Sequence, residues 1–102
     1  MNLNQREKAF EDMFAHDQEL HFKIRARRNK NAGLWAAEKL GKTGEAATAY
    51  AQELVTGFLD REALFKRLKK DFSLNEISIS DNELTAKIME LVTESRNHFT
   101  NK

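Results

Sequence analysis

The residues Gly41-Lys42-Thr43 match the end of a phosphate-binding loop, so nucleotide binding is the first chemistry that this sequence suggests. Such a loop requires another glycine five residues before Gly41, so that successive backbone N–H groups can curl around the phosphates. That position holds Ala36, and the residues before it do not form an apolar strand. Gly41 instead suits the left-handed C-terminal cap of one helix, and Thr43 suits the N-cap of the next. The sequence therefore predicts a helix junction and not a phosphate site.

Metal binding is the second chemistry to weigh, because His16, Asp17, Glu19 and His21 cluster within six residues. The two histidines are five positions apart, about 140° around a helix, whereas a chelating pair requires a spacing of three or four. These side chains are therefore interpreted as solvated polar residues. Neither a Ser-His-Asp grouping nor a glycine-rich phosphate cradle can be placed in the sequence. We expect no catalytic activity, no metal site and no required cofactor.

The run KIRARRNK, at positions 23 to 30, holds five basic residues and no acidic one. On a helix these cations surround most of the cylinder, so they form a candidate docking patch for an acidic partner or a phosphate group. The alternative is a solvated helix end, since each cation near a helix C-terminus interacts with the macrodipole by about 0.3–1 kcal/mol. The sequence leaves both interpretations open. The five residues are Lys23, Arg25, Arg27, Arg28 and Lys30.

Composition limits the classes of fold and function. The chain has 102 residues, no proline and only four glycines, so one almost wholly helical domain is expected. The absence of cysteine excludes a disulfide framework and a thiolate metal site. A net charge of +1 provides no general field for nucleic acid or anionic lipid. No apolar run approaches the length that a bilayer requires, and a soluble cytoplasmic protein is expected.

Hydrophobic periodicity predicts the helices that position these residues. A long amphipathic helix is expected from about Asn4 to Arg28, with an apolar stripe that Asp17 interrupts. Because the early portion has few apolar anchors, we expect it to fray or to wait for a partner. Residues 29–33 are predicted to bend the chain before a short apolar turn that ends at Leu40.

Three further helices are predicted after this region, and together the amphipathic segments form a small antiparallel bundle. The first spans Gly44 to about Phe58, and the second begins after an N-cap at Asp60. The last begins at a capping box of Ser80 and Glu83. The residues predicted to face inward are Ala47, Tyr50, Ala51, Leu54, Phe58, Leu64, Phe65, Leu68, Phe72, Leu84, Ile88, Leu91 and Val92, with Ile77 and Ile79 tucked under the helices.

Three segments of the sequence resemble a known family of small helical proteins. They read REKAFEDMFAHDQELHFKIRARRNKNAGLWAAEKLG, GEAATAYAQELV and ISDNELTAKIMEL. The family is that of the zeta subunit, the ATPase inhibitor of alphaproteobacterial F-type ATP synthases. The similarity spans nearly the whole chain, and its most specific portions are residues 6–17, 26–30 and 33–38.

This resemblance implies an all-α fold, a small four-helix bundle with a long N-terminal helix. It divides a single domain, residues 1–102, into a mobile inhibitory segment of residues 1–17 and a bundle of residues 18–99. In the family, the segment enters a catalytic interface between the α and β subunits, close to the γ subunit, and blocks rotation in the hydrolytic direction. The implied protein is a non-catalytic subunit, monomeric when free, which reaches the membrane periphery only through the ATP synthase. The matching positions of the segment are Arg6, Glu7, Phe10, Glu11, Phe14, His16 and Asp17.

The resemblance also gives the interrupted apolar stripe a use, because Phe10, Met13 and Phe14 can anchor a helix in a groove through i, i+3 and i+4 positions. Two alternatives stay open. One is a nucleic-acid-binding module that uses the basic stretch of residues 23–30, although no nucleic acid is expected. The other is a nucleotide sensor, since some relatives bind purine nucleotides weakly, but no residue of this chain can be assigned to such a site.

Overall fold

The computed structural model describes the backbone of residues 3–100 and the side chains of residues 18–100. Four α-helices follow one another along the chain, and residues 3–100 contain no strand. The predicted all-α class and the bundle of four helices with a long first helix are confirmed. The helices are α1 (Leu3–Lys39), α2 (Gly44–Thr56), α3 (Arg61–Leu74) and α4 (Asp81–Thr100).

Helix α1 is the centre of the packing, because both α2 and α4 lie against it. Arg27 of α1 reaches Glu94 of α4, and Lys87 lies over the ring of Trp35, so the two helices run in opposite directions. Small alanines of α1 allow the larger apolar residues of the other helices to approach closely, and the predicted isoleucines of the last loop pack against the same core. The fully buried core residues are Ala32, Ala36, Ala37, Leu54, Leu64, Leu68, Phe72 and Leu84.

The predicted bend at residues 29–33 is wrong, because α1 continues without a break to Lys39. Asn29 is buried, and its Nδ2 donates to the backbone oxygens of Leu54 at 3.3 Å and Leu59 at 2.9 Å. The asparagine therefore satisfies backbone acceptors around the end of α2 and does not turn its own chain. The short turn predicted before Leu40 is the last part of the same helix.

Gly33 permits a close approach between α1 and α2. A Cβ atom built on Gly33 would lie 2.5 Å from the Cα atom of Ala51 and 3.0 Å from its Cβ atom. Since the nearer of these atoms is backbone, it cannot move aside as the end of a flexible side chain can. Glycine is thus required here by the neighbouring helix.

We expect Gly33→Ala to lower the free energy of unfolding by about 1–3 kcal/mol, the usual cost of overpacking a core. Helix propensity alone predicts the opposite sign, because alanine favours a helix over glycine by about 1 kcal/mol. Urea denaturation followed by circular dichroism measures the change. The control is Thr93→Ala, an exposed position inside α4, which should be neutral or slightly stabilising. A Gly33→Ala protein more stable than its parent would contradict the close approach.

The junction between α1 and α2 is the helix junction that the sequence predicts. Gly41 has a φ of +76°, and the N–H groups of Gly41 and Lys42 donate to the carbonyl oxygens of Glu38 and Ala37 at 3.1 and 2.8 Å. This pattern satisfies two carbonyl groups at the end of α1. Thr43 occupies the predicted N-cap of α2 with extended backbone, although its side chain makes no capping hydrogen bond. Gly41-Lys42-Thr43 therefore ends one helix and begins the next.

The two later N-caps are also confirmed. The Oδ1 atom of Asp60 accepts from the backbone N–H three residues later at 2.8 Å. Ser80 Oγ accepts from the N–H of Glu83 at 3.1 Å, which is one half of the predicted capping box. Because these bonds are local, their donors and acceptors could be identified from sequence spacing alone.

Candidate functional site

The predicted inhibitory segment is the first part of α1, whose backbone is helical from Leu3. The predicted contact side chains of this segment lie outside the described residues, and its fraying stays a prediction. The role of these side chains in binding, and the division of the chain into a segment of residues 1–17 and a bundle of residues 18–99, stay predictions. These positions are Arg6, Glu7, Phe10, Glu11, Phe14, His16 and Asp17.

The fold divides the basic run that was predicted as a docking patch. Arg27 faces α4, where its guanidinium donates to both carboxylate oxygens of Glu94 at 2.8–3.2 Å. This hydrogen bonding lowers the pKa of Glu94. Arg27 therefore already has an acidic partner within the chain and fastens α1 to α4. The members of the run that remain exposed are Lys23, Arg25 and Lys30.

Arg28 is the most deeply buried member of the run, with 6% of its surface exposed. Its Nη2 donates to the backbone oxygen of Leu59 at 2.8 Å, and its Nε donates to Oδ1 of Asn29 at 3.1 Å. Burial lowers the pKa of Arg28, and the neighbouring charges of Arg25 and Arg61 lower it further. The positive charges of Arg25, Arg28 and Arg61 therefore lie close enough together for Arg25 and Arg61 to repel Arg28.

These cations line a pocket of about 290 Å³ between α1, the start of α3 and the second half of α4. Arg25 and Arg28 come from α1, Arg61 from α3 and Arg96 from α4, and we refer to these four as the arginine pocket. The part of the chain that the structure describes contributes no carboxylate to its lining. Sequence reasoning missed Arg61 and Arg96, because each stands in a segment of mixed charge that has no distinguishing signal. The remaining lining residues are His21, Ile24 and Val92.

Two exposed aromatic rings lie beside this pocket. The prediction that Phe58 faces the core from α2 is wrong, because α2 ends at Thr56 and Phe58 follows it with a φ of +49°. Phe58 is 60% exposed and Phe22 is 54% exposed, and their ring centroids are 5.6 Å apart. We refer to these two residues as the aromatic pair. Arg25 lines both the arginine pocket and the small cleft under the pair, so the two features form one continuous surface.

The backbone conformation of Phe58 is costly. A residue other than glycine in the left-handed region is disfavoured by about 1–2 kcal/mol, because its Cβ crowds the following carbonyl group. Phe58 therefore combines an unfavourable backbone with an exposed ring. Phe58 lies just past the end of α2, where its N–H donates to the carbonyl oxygen of Val55 at 3.1 Å, so its backbone helps to end that helix. Its exposed ring contributes nothing to the buried core.

Other kinds of site find no support among the described residues. Within residues 18–100, no group of three or more His, Cys, Asp or Glu side chains is placed to hold a metal ion. Over the same residues, no helix combines the length and apolar character needed to cross a bilayer. What the described residues bring together is a cationic pocket beside two exposed aromatic rings, an arrangement suited to binding.

Comparison with known proteins supplies the family. No match is found among curated proteins, nor among solved structures. The family model described as ATPase inhibitor subunit zeta matches residues 1–98, a range that includes the N-terminal segment, the arginine pocket and the aromatic pair. The family that the three sequence segments resemble is therefore confirmed. The chain belongs to the ATPase inhibitor subunit zeta family.

Proposed function

We propose that this protein is a non-catalytic regulatory subunit that inhibits ATP hydrolysis by an F-type ATP synthase. The family match over residues 1–98 is the observation that carries the proposal, since the family is described as an ATPase inhibitor subunit. The resemblance supplies the finer steps, which are binding at an interface of α and β subunits and obstruction of rotation near γ. The partner is thus the catalytic sector of the enzyme.

In this proposal the first part of α1 is the inhibitory element. Phe10 and Phe14 are four residues apart, so on a helix they lie on one face and can enter the same groove. An amphipathic helix binds a groove through such anchors, and large apolar side chains dominate the binding energy of interfaces. The charged residues around them are expected to set orientation and encounter rate more than affinity.

The bundle has a mechanical role in this mechanism, because an obstructing helix must resist displacement. The same helix that carries residues 3–17 is anchored in the bundle by buried alanines at 32, 36 and 37. It is also tied by Asn29 to the end of α2 and by Arg27 to α4. At 1.5 Å per residue, Phe10 is about 29 Å along the helix axis from Asn29. A continuous helix can transmit the anchorage of the bundle over that distance.

ATP hydrolysis by the matching catalytic sector, measured with and without this protein, tests the proposal. Hydrolysis should fall in a saturable manner as the protein is added. Undiminished hydrolysis at a large molar excess would reject the inhibitory function. Repeating the titration at increasing ionic strength separates this function from nucleic-acid binding, since affinity for nucleic acid falls steeply with salt and a largely apolar contact falls less.

A further inference from the structure

We propose that the arginine pocket and the aromatic pair form a second docking surface, which binds an acidic polypeptide segment of the inhibited ATPase. The inference rests on the proposed function, but it concerns residues outside the inhibitory segment. It also differs from a general basic patch along α1. Arg27 of α1 is paired with Glu94 and does not line the pocket, whereas Arg61 of α3 and Arg96 of α4 do line it.

Charge is the first argument for this surface. Four arginine residues from three helices line one pocket, although the chain as a whole carries a net charge of only +1. Among the described residues, no carboxylate lies within ion-pair distance of Arg25, Arg61 or Arg96. Asp60 is close enough to act on Arg28, but its Oδ1 accepts the capping hydrogen bond of α3. Within the part of the chain that the structure describes, Arg25, Arg61 and Arg96 therefore have no acidic partner, and an acidic segment would neutralise their charge.

The aromatic pair is the second and independent argument. Exposed rings of Phe22 and Phe58 lie next to the pocket, and Arg25 belongs to both features. Phenylalanine and arginine are among the residues enriched at protein interfaces, where rings supply buried area and guanidinium groups supply directed hydrogen bonds.

The same two features favour a polypeptide over a small phosphate compound. A phosphate group could occupy the arginines, but it would leave two exposed apolar rings unused. A protein segment can place carboxylates in the pocket and an apolar side chain against the rings at once. Its carboxylates also match the guanidinium forks of Arg25 and Arg96, which can bind them through two parallel hydrogen bonds.

The position of the surface along α1 fits such a partner. Phe22 follows the inhibitory segment by five residues, which is about 8 Å along a helix. When the segment enters its groove, the mouth of that groove must come close to Phe22 and Arg25. The second surface would then hold the bundle against the outside of the enzyme and limit its release.

The test measures binding and inhibition separately, with the purified catalytic sector as the probe. The variants are a double charge reversal, Arg25→Glu with Arg96→Glu, and the single change Phe58→Gly. Arg28 is left intact because its hydrogen bonds belong to the fold. The control is Lys70→Glu, which reverses an exposed charge on α3 outside the arginine pocket. Immobilised full-length protein gives the Kd, and ATP hydrolysis gives the inhibition.

We expect the double charge reversal to raise the Kd at least about tenfold, whereas Lys70→Glu stays near the parent value. Phe58→Gly should raise the Kd by several-fold while its melting temperature equals or exceeds that of the parent, since glycine accepts a positive φ. This combination separates a binding role from a structural one. If the double charge reversal and Phe58→Gly both bind as tightly as the parent, the docking surface is refuted.

Two further outcomes separate the docking surface from the proposed function. A parent protein that binds the catalytic sector without inhibiting it would reject the inhibitory function, while the Kd values of the variants still decide the docking surface. A parent that does not bind at all would reject both. If inorganic phosphate or ATP shifts the NMR signals of Arg25 and Arg96 while the double variant binds the enzyme normally, the pocket serves a small anion and the inference is overturned.

Photo-crosslinking tests the chemistry of the partner segment. A photoreactive phenylalanine analogue at position 58 should crosslink to a peptide of the purified catalytic sector that contains several aspartate or glutamate residues. The same analogue in place of Leu74, which is 71% exposed and lies at the other end of α3, is the control and should give no comparable product. A crosslinked peptide rich in lysine and arginine would contradict the inference.

Discussion

Removal of residues 1–17 is expected to abolish inhibition of ATP hydrolysis while the remainder of the chain stays folded. The buried apolar residues that the structure describes begin at Ile24, so this deletion removes none of them. The hydrogen bonds of Asn29 and the ion pair of Arg27 also lie beyond the deletion. ATPase assays measure the loss of inhibition, and thermal unfolding followed by circular dichroism measures the fold.

Two outcomes of the deletion experiment would contradict this prediction. A truncated protein without a cooperative thermal transition would show that the first seventeen residues contribute to the fold, against the predicted division of the chain. A folded truncated protein that still inhibits at the concentration of the parent would place the inhibitory element in the bundle. A deletion of only residues 1–5, which precede the predicted contact positions, is the control and should keep most of the inhibition.

The double substitution Phe10→Ala, Phe14→Ala is expected to remove most of the inhibition with little change in melting temperature. Interface residues of this kind typically cost about 2 kcal/mol or more when truncated, near a thirtyfold loss of affinity for each. If the two rings belonged to the folded core of the free protein, their truncation would instead lower stability by about 3–5 kcal/mol each. The concentration for half-maximal inhibition and the melting temperature distinguish these cases.

Leu74→Ala is the matched control for this double substitution, because it truncates a large exposed apolar side chain far along the chain from the segment. It should change neither inhibition nor melting temperature. Inhibition by the double variant at the parent's concentration would refute insertion of the two phenylalanines. A large fall in its melting temperature would assign them to the fold.

The features of the fold that were predicted correctly depend on residues close together in the sequence. At the end of α1, the N–H of Gly41 donates to the carbonyl group three residues earlier, and that of Lys42 to the carbonyl group five residues earlier. Asp60 and Ser80 begin their helices by accepting from the N–H three residues later. The inward faces of α3 and α4 follow from helical periodicity, and Leu64, Leu68, Leu84 and Ile88 are buried as predicted. Hydrogen bonds over three to five residues and the spacing of apolar residues in a helix can be predicted from the sequence itself.

The predictions that failed involve residues whose role is set by another helix. Asn29 and Gly33 have the character of helix breakers. In the structure, however, Asn29 donates to the backbone oxygens of Leu54 and Leu59, and Gly33 leaves room for the close approach of Ala51. Phe58 fitted the apolar stripe of α2, but the helix stops before it and the ring lies against Phe22. In each case a tertiary contact overrides the local tendency.

The sequence by itself determined the helical class, the helix junction at Gly41, the caps at Asp60 and Ser80, and the resemblance to the zeta family. These depend on composition and on patterns within a few residues. Only the tertiary structure decided which cations are available for binding, because Arg27 is neutralised by a residue 67 positions away. The arginine pocket likewise exists only because Arg25, Arg61 and Arg96 meet at one end of the bundle. Electrostatic interactions act through space, so charges that are remote in sequence become one site only after the helices have packed.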